Sequence, residues 1–260
     1  MITDLKNTRI LISNDDGVEA EGIQRLERIA RTLSDDVWVV APALEQSGAG
    51  HSLSLHAPLR IRKVNDRKFA VTGTPTDAVL LGVMEILKDK RPGLMLSGIN
   101  RGTNLAEDVT YSGTVSAAME GTLIGIPSIA FSNTVTEDGI NWDAPEHYTA
   151  QIIESLVKLQ WPSGTLMNVN FPPLPVAQVK GIKACPQGRR TLDDNLDRRT
   201  DPHGRPYIWI GGQRTAPFDD KQPSADFLQI KQGFITVTPL NMDMTDYKTL
   251  DIMHTIVETA

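Results

Sequence analysis

Asp15 and Asp16 stand side by side, directly after the short apolar run Arg9 to Ser13 and directly before Gly17. Two adjacent carboxylates repel each other unless a proton or a cation lies between them. In an ordinary turn such a pair is more often an N-cap with a solvated neighbour; position at the end of a strand is what sets this one apart. Two further polar segments, one carrying Ser47 and the other Asn100, follow apolar runs in the same way. Asp15, Asp16, Ser47 and Asn100 together offer carboxylate, hydroxyl and amide oxygens, with neither nitrogen nor sulfur. That set suits a hard divalent ion, Mg²⁺ or Mn²⁺, with water completing its shell.

A second chemistry lies further along. Tyr111-Ser112-Gly113-Thr114-Val115 leads straight into an Ala-rich helical pattern. Ser112 is placed as an N-cap. The free N–H groups of the first turn, at Gly113 and Thr114, and the helix dipole favour an anion such as phosphate. Asn104 can add a neutral donor and Arg101 a charged one. Alone, such a turn is equally a capped helix with nothing bound. Metal ligands and anion donors on one edge point to metal-assisted phosphate chemistry.

Other chemistries lose ground. No two of the five histidines have the i, i+4 spacing of a zinc helix. Gly48-Ala49-Gly50-His51-Ser52-Leu53 lacks the third glycine of a dinucleotide fingerprint and follows the second apolar run, not the first. There is no G-K-[ST] phosphate loop and no G-x-S-x-G nucleophile elbow. Cys185 is the only cysteine, so disulfides and thiolate zinc sites are excluded, and it reads as a small buried residue. A net charge of −6 argues against a general nucleic-acid binder.

The elements that must position these residues alternate. Arg9 to Ser13 and Val37 to Ala41 read as strands, with helical spacing of Ile23, Leu26, Ile29, Ala30 and Leu33 between them. Leu59 to Val64 and Lys68 to Thr72 read as a hairpin, Asp77 to Leu87 as a helix and Leu94 to Ser97 as a strand. A polar loop over Gly98 to Ser112, a helix over Thr114 to Leu123 and a strand over Pro127 to Phe131 follow. Short, continuously apolar strands alternating with helices indicate a mostly parallel sheet covered on both faces. The three polar loops then open onto the one edge where such sheets bind ligands.

Beyond residue 135 the pattern changes. Helices are expected over Pro145 to Leu159, Ser224 to Lys231 and Thr249 to Glu258, and strands over Leu166 to Phe171 and Phe234 to Thr238. Residues 185–223 carry Arg189, Arg190, Arg198, Arg199, Arg205 and Arg214 among acids and prolines. This is either a phosphate patch or, as interspersed acids suggest, a solvated or subunit-contacting arm. The terminal helix has an apolar face of Leu250, Ile252, Met253, Ile256 and Val257, which fits burial by another subunit.

Taken in order, several segments resemble the signatures of the SurE (survival protein E) nucleotidases. They are Asn14-Asp15-Asp16-Gly17, Pro42-x3-Gln46-Ser47-Gly48 and Gly73-Thr74-Pro75-x-Asp77, then Ser97-Gly98-Ile99-Asn100-x-Gly102-x-Asn104 and Tyr111-Ser112-Gly113-Thr114-Val115. Glu120-Gly121, Asn168-x-Asn170-Phe171-Pro172 and Thr238-Pro239-Leu240-x2-Asp243 continue the series, which spans residues 9 to 245. The resemblance implies a three-layer α/β/α Rossmann-like fold with a mostly parallel, mixed sheet and a C-terminal arm for oligomerisation. It implies a phosphatase acting on nucleoside 5′-monophosphates, with 3′-nucleotides or short polyphosphate as further substrates. One divalent ion per subunit would sit on Asp15, Asp16, Ser47 and Asn100, and phosphate on Asn104 and the Ser112–Thr114 turn. Where many members have glycine, this chain has Ala106; His51 matches no family motif.

The expectation is therefore a single domain. Its core covers about residues 1–183 and 224–246, with an Arg-rich arm over about 185–223 and a terminal helix over about 249–260. A homodimer or homotetramer is implied by the arm. The polar segment Met1 to Thr8 and the lack of long apolar runs suggest a cytoplasmic chain with no membrane association. Asp15 and Asp16 hold the ion; Asp16, next to Gly17, is expected nearest the phosphate. The rivals are a phosphatase working through a phospho-aspartate, although its usual D-x-D spacing is absent, and a nucleotide sensor that binds without turnover.

Overall fold

The computed structural model describes residues 2–189, 196–210 and 222–257. The first strand, β1 (Ile10–Ser13), is buried along its whole length, as a strand covered on both faces must be. Its side chains alternate: Ile10 and Ile12 join one apolar cluster and Leu11 the other. After α1 (Glu21–Leu33) and β2 (Val37–Pro42) come the antiparallel pair β3 (Ile61–Asn65) and β4 (Lys68–Val71). Then follow α2 (Pro75–Leu81), β5 (Leu94–Arg101), α3 (Gly113–Leu123) and β6 (Ser128–Asn133).

A small ribbon of β7 (Val135–Thr136) and β8 (Gly139–Ile140) precedes α4 (Asp143–Leu156) and β9 (Thr165–Phe171). The rest comprises β10 (Ile182–Ala184), the hairpin β11 (Leu196–Thr200) and β12 (Pro206–Ile210), α5 (Asp226–Lys231), β13 (Ile235–Asn241) and α6 (Tyr247–Val257).

Nine strands form one sheet in the order β10-β13-β9-β6-β5-β1-β2-β4-β3. The six strands from β9 to β4 run parallel; β13 lies antiparallel to β9 and β3 to β4. From β1 the chain builds outward through β2 and β4 on one side, and through β5, β6 and β9 on the other. The order therefore switches between β1 and β5, which is where an open α/β sheet leaves a crevice for ligand. Ile23, Leu26, Ile152 and Ile153 of α1 and α4 cover one face of the sheet. Ala78, Val79, Val115, Ala117 and Ala118 of α2 and α3 cover the other. The expected three-layer, mostly parallel α/β arrangement is the one observed.

Several boundaries move for local reasons. The helix expected from Asp77 begins at Pro75, because Thr74 and Asp77 close a capping box, and it turns π-helical over Gly82–Ile86. β5 runs on to Arg101 through an irregularity between Ser97 and Asn100, so the start of the expected loop is strand. Residues Ala106–Thr110 form a 3₁₀ turn. The Arg-rich segment holds an exposed hairpin with Arg198, Arg199 and Arg205 on or beside it; Arg190 and Arg214 lie outside the described residues, as do residues 258–260 of the expected terminal helix. Cys185 is buried, and burial pushes its thiol up to about 11. Among the described residues, no helix is long and apolar enough to cross a membrane.

Candidate active site

The site begins where β1 ends. The Asn14 amide donates to the Gly17 carbonyl at 2.9 Å and closes the turn. Gly17 has φ +100°, the left-handed region that favours glycine, and a Cβ there would sit tightly, 3.3 Å from the Leu44 backbone. The second loop is laced to the first by Gln46 N–H donating to the Asp15 carbonyl at 2.8 Å. The third is laced by Arg101 N–H donating to Asp16 Oδ2 at 3.3 Å. Three parallel strands thus deliver their following loops to the Asp15-Asp16 pair.

The two carboxylates face different surroundings. Asp15 is 4 % exposed. The Thr114 hydroxyl donates a hydrogen bond to its Oδ1, and a Cβ on Gly113 would lie 2.6 Å from Asp15 Cβ. Asp15 is therefore packed against the first turn of α3. Burial pushes its pKa up to about 6 and the Asp16 charge adds to this, while the Thr114 hydrogen bond opposes it. Asp16 is half-buried; burial raises its pKa and the Glu45 charge adds, against the N–H and charge of Arg101. It lines a cavity of about 580 Å³ together with Glu21, Glu45, Ile99, Arg101 and Trp142.

The remaining expected residues divide. Ser47 Oγ donates to Glu45 Oε1 at 2.8 Å, and Asn100 Nδ2 donates to the Gly102 carbonyl at 2.9 Å, which leaves its amide oxygen for a cation. Ser112 Oγ accepts from Val115 N–H at 3.0 Å and caps α3. Asn104 is buried and tied elsewhere: its amide donates to Ser132 Oγ at 2.7 Å and its backbone N–H to Asn170 Oδ1 at 2.8 Å. The Asn104 carbonyl accepts from Asn168 and Asn170. It steadies the loop through β6 and β9, with no direct bond to Asp15 or Asp16.

A divalent cation fits this edge on the chemistry of its donors. Both carboxylates are raised by burial and by neighbouring negative charge, a cost that a cation between them would remove. Ser13 Oγ and Asn14 Oδ1, buried at the end of β1, and Ser97 Oγ, buried where β5 becomes irregular, lack a hydrogen-bond partner among the described residues. Among the described residues no group of three or more His, Cys, Asp and Glu is placed to hold a metal ion, so an ion held by Asp15 and Asp16 would take its other protein ligands from neutral oxygens such as those of Ser47 and Asn100.

Three contributors were not legible in advance. Glu45 acts on both Ser47 and Asp16. Trp142 walls the cavity. Asp226, wholly buried, accepts N–H groups from Ala106 and Gly188 at 3.0 Å and from Phe227 at 2.7 Å. Only the tertiary fold brings Asp226 to Ala106; its own neighbourhood reads as an ordinary helix start. His51 Nε2 lies 3.0 Å from Glu120 Oε2.

Fold and edge together define a Rossmann-like α/β protein with two adjacent carboxylates at its topological switch point. The family model described as survival protein SurE matches residues 10–194, and the chain belongs to the SurE family. It is 54% identical to 5′-nucleotidase SurE of Paramagnetospirillum magneticum over 254 residues, covering 96% of this chain and 97% of that protein. To 5′-nucleotidase SurE of Rhodospirillum rubrum it is 51% identical over 256 residues, 97% of each chain. The crystal structure of the SurE protein from Aquifex aeolicus superposes with a TM-score of 0.81 at 39% identity, covering 95% of this chain and 99% of that one.

Proposed function

We propose that this chain is a 5′-nucleotidase that cleaves the phosphate ester of nucleoside 5′-monophosphates, with Mg²⁺ or Mn²⁺ held by Asp15, Asp16, Ser47 and Asn100. The observation that carries the reading is the packing of Asp15 on Gly113 and Thr114. It sets a carboxylate and the N–H groups of a helix start side by side, as a phosphate with its counter-ion requires. Likeness to two proteins named 5′-nucleotidase SurE over nearly the whole chain supports it.

When bound, the cation supplies positive charge for the phosphoryl oxygens and makes nearby water more acidic. The residues do the positioning. Thr114 fixes one oxygen of Asp15. Asp16, held among the described residues by the Arg101 N–H at 3.3 Å, keeps acceptor capacity to orient the attacking water. The Gly113 and Thr114 N–H groups, with the hydroxyl proton of Ser112, receive negative charge on the phosphate. Asn104 keeps the preceding loop in place. Phosphoryl transfer asks mostly for positioning and charge neutralisation, which this edge provides.

A second copy of the chain covers the exposed apolar residues Ile208, Trp209 and Ile210 of β12 and Ile252, Met253 and Ile256 of α6. The core, arm and terminal helix act as parts of one domain. A lone cysteine and an acidic balance fit the cytoplasm.

The test is phosphate release from AMP and GMP by protein stripped with chelator and then reloaded. Activity should vanish and return with Mg²⁺ or Mn²⁺. Full turnover without metal, nucleotide binding without release, or a trapped phospho-aspartate would each overturn the reading.

A further inference from the structure

We infer that the cavity beside Asp16 is a nucleoside subsite, in which the base lies against Trp142 and the ribose hydroxyls meet the carboxylates of Glu21 and Glu45. The inference rests on the nucleotidase reading and goes beyond it. Asp15 and Asp16 look in different directions: Asp15 packs on the first turn of α3, while Asp16 forms part of the cavity wall. A phosphate ester held at the pair, with its phosphate toward α3, can place its ester group in the cavity that Asp16 lines.

The cavity fits such a group in size and chemistry. At about 580 Å³ it lies within the range of ligand pockets. Ile99, Ile140 and Trp142 give it an apolar flank. A Cβ on Gly22, another wall residue, would lie 1.9 Å from the Ile99 carbonyl oxygen, so α1 presses against β5 and shuts this side of the cavity.

Trp142 is fixed in advance. The Arg25 guanidinium lies 4.9 Å from its ring centroid, and Arg25 is itself held by Glu21 at 2.5 Å and Glu146 at 2.6 Å. Trp142 forms part of the cavity wall and Arg25 does not, so part of the indole is open to the cavity. A nucleobase stacks on such a surface whatever its hydrogen-bonding edge.

Charge settles which part of a nucleotide enters. Asp16, Glu21 and Glu45 outnumber Arg101 in the wall, so a second phosphate is repelled and a neutral group is admitted. Ribose hydroxyls are donors, and nucleotide sites of α/β sheets commonly meet them with an Asp or Glu carboxylate. Glu21 opens α1, and Glu45 sits in the loop that carries Ser47.

The experiment compares kcat/KM for AMP with that for ribose 5-phosphate, at one metal concentration, in wild type, Trp142→Ala and Trp142→Phe. The wild type should prefer AMP. In Trp142→Ala the ratio should fall about tenfold or more, through KM for AMP, while Trp142→Phe should keep most of it. Calorimetry with adenosine and no metal gives an independent reading: wild type and Trp142→Phe bind, and Trp142→Ala binds at least about tenfold more weakly. An unchanged ratio and unchanged adenosine binding in Trp142→Ala would overturn the subsite while leaving the nucleotidase reading intact. If wild type releases phosphate from neither compound, the nucleotidase reading fails, and adenosine binding decides the subsite alone.

Discussion

Asp226 and Ala106, 120 residues apart in sequence, meet where the Ala106 N–H donates to the buried Asp226 carboxylate at 3.0 Å. Ala106 is the one non-glycine with positive φ among the described residues, at 51°. That conformation costs an alanine roughly 1–2 kcal/mol and persists only when its surroundings enforce it. Its carbonyl is held as well, by Gln187 Nε2 at 3.0 Å. Both peptide groups of Ala106 are thus gripped from the base of the Arg-rich segment, just ahead of the turn that leads to Ser112, Gly113 and Thr114.

Asp226→Asn should show what this grip is worth. The asparagine oxygen can still accept from Gly188 and Phe227, but its NH₂ would face the Ala106 N–H, donor against donor. We expect kcat to fall at least about tenfold with a smaller change in KM. Adding Ala106→Gly should restore part of the loss, since glycine takes the conformation unaided. Steady-state kinetics of both single variants and the double variant check this; a wild-type kcat in Asp226→Asn would uncouple the two residues.

Gly113→Ala tests the contact beneath Asp15. Alanine is the better helix former by about 1 kcal/mol. Here its Cβ would lie 2.6 Å from Asp15 Cβ and 3.0 Å from Pro75 Cγ, and overpacking of that kind typically costs about 1–3 kcal/mol. The variant should be less stable to urea and lose metal affinity. Stabilisation with unchanged affinity would mean that Asp15 and α3 are not pressed together.

Asp15 also sets a pH dependence in metal-free protein. Its folded pKa is raised to about 6 from 3.8, so the folded state holds a proton that the unfolded chain has released. Stability is therefore lost as pH rises between those values, by roughly 3 kcal/mol in all, and the penalty stays constant above pH 6. Asp15→Asn, which keeps an acceptor for Thr114, should raise the melting temperature at pH 8 and lose most of that gain at pH 4. Thermal melts across this range in chelator decide it; a gain independent of pH would contradict the raised pKa.

How much of this could be read beforehand follows from range. β1, β2 and their loops were legible because a strand buried on both faces is a continuous apolar run, and the turn residues after it punctuate it sharply. Parallel order then put Asp15, Asp16, Ser47 and Asn100 on one edge. Division of labour within the pair was not legible: nothing local tells that the Thr114 hydroxyl goes to Asp15, or that Asp16 turns toward a cavity. Asn104 is expected as a phosphate donor; that its amide also bonds Ser132 and its backbone N–H Asn170 was not legible, because these partners lie on strands far along the chain. The ribbon β7–β8, too short to carry a period, gave no signal, although Ile140 and Gly139 wall the cavity.

The placement of β13 between β9 and β10 bears on how the protein is made. Every proposed ligand of the cation lies at or before Asn100, and the helix start that faces them lies by Thr114. The struts come later: Asn168 and Asn170 for Asn104, then Gln187 and Asp226 for Ala106. A ribosome extends the chain from its N-terminus, so a growing polypeptide owns all its ligands long before it owns the parts that hold them in register. A message truncated between Thr114 and Asp226 yields a polypeptide with the full set of ligand residues but without the carboxylate that braces Ala106.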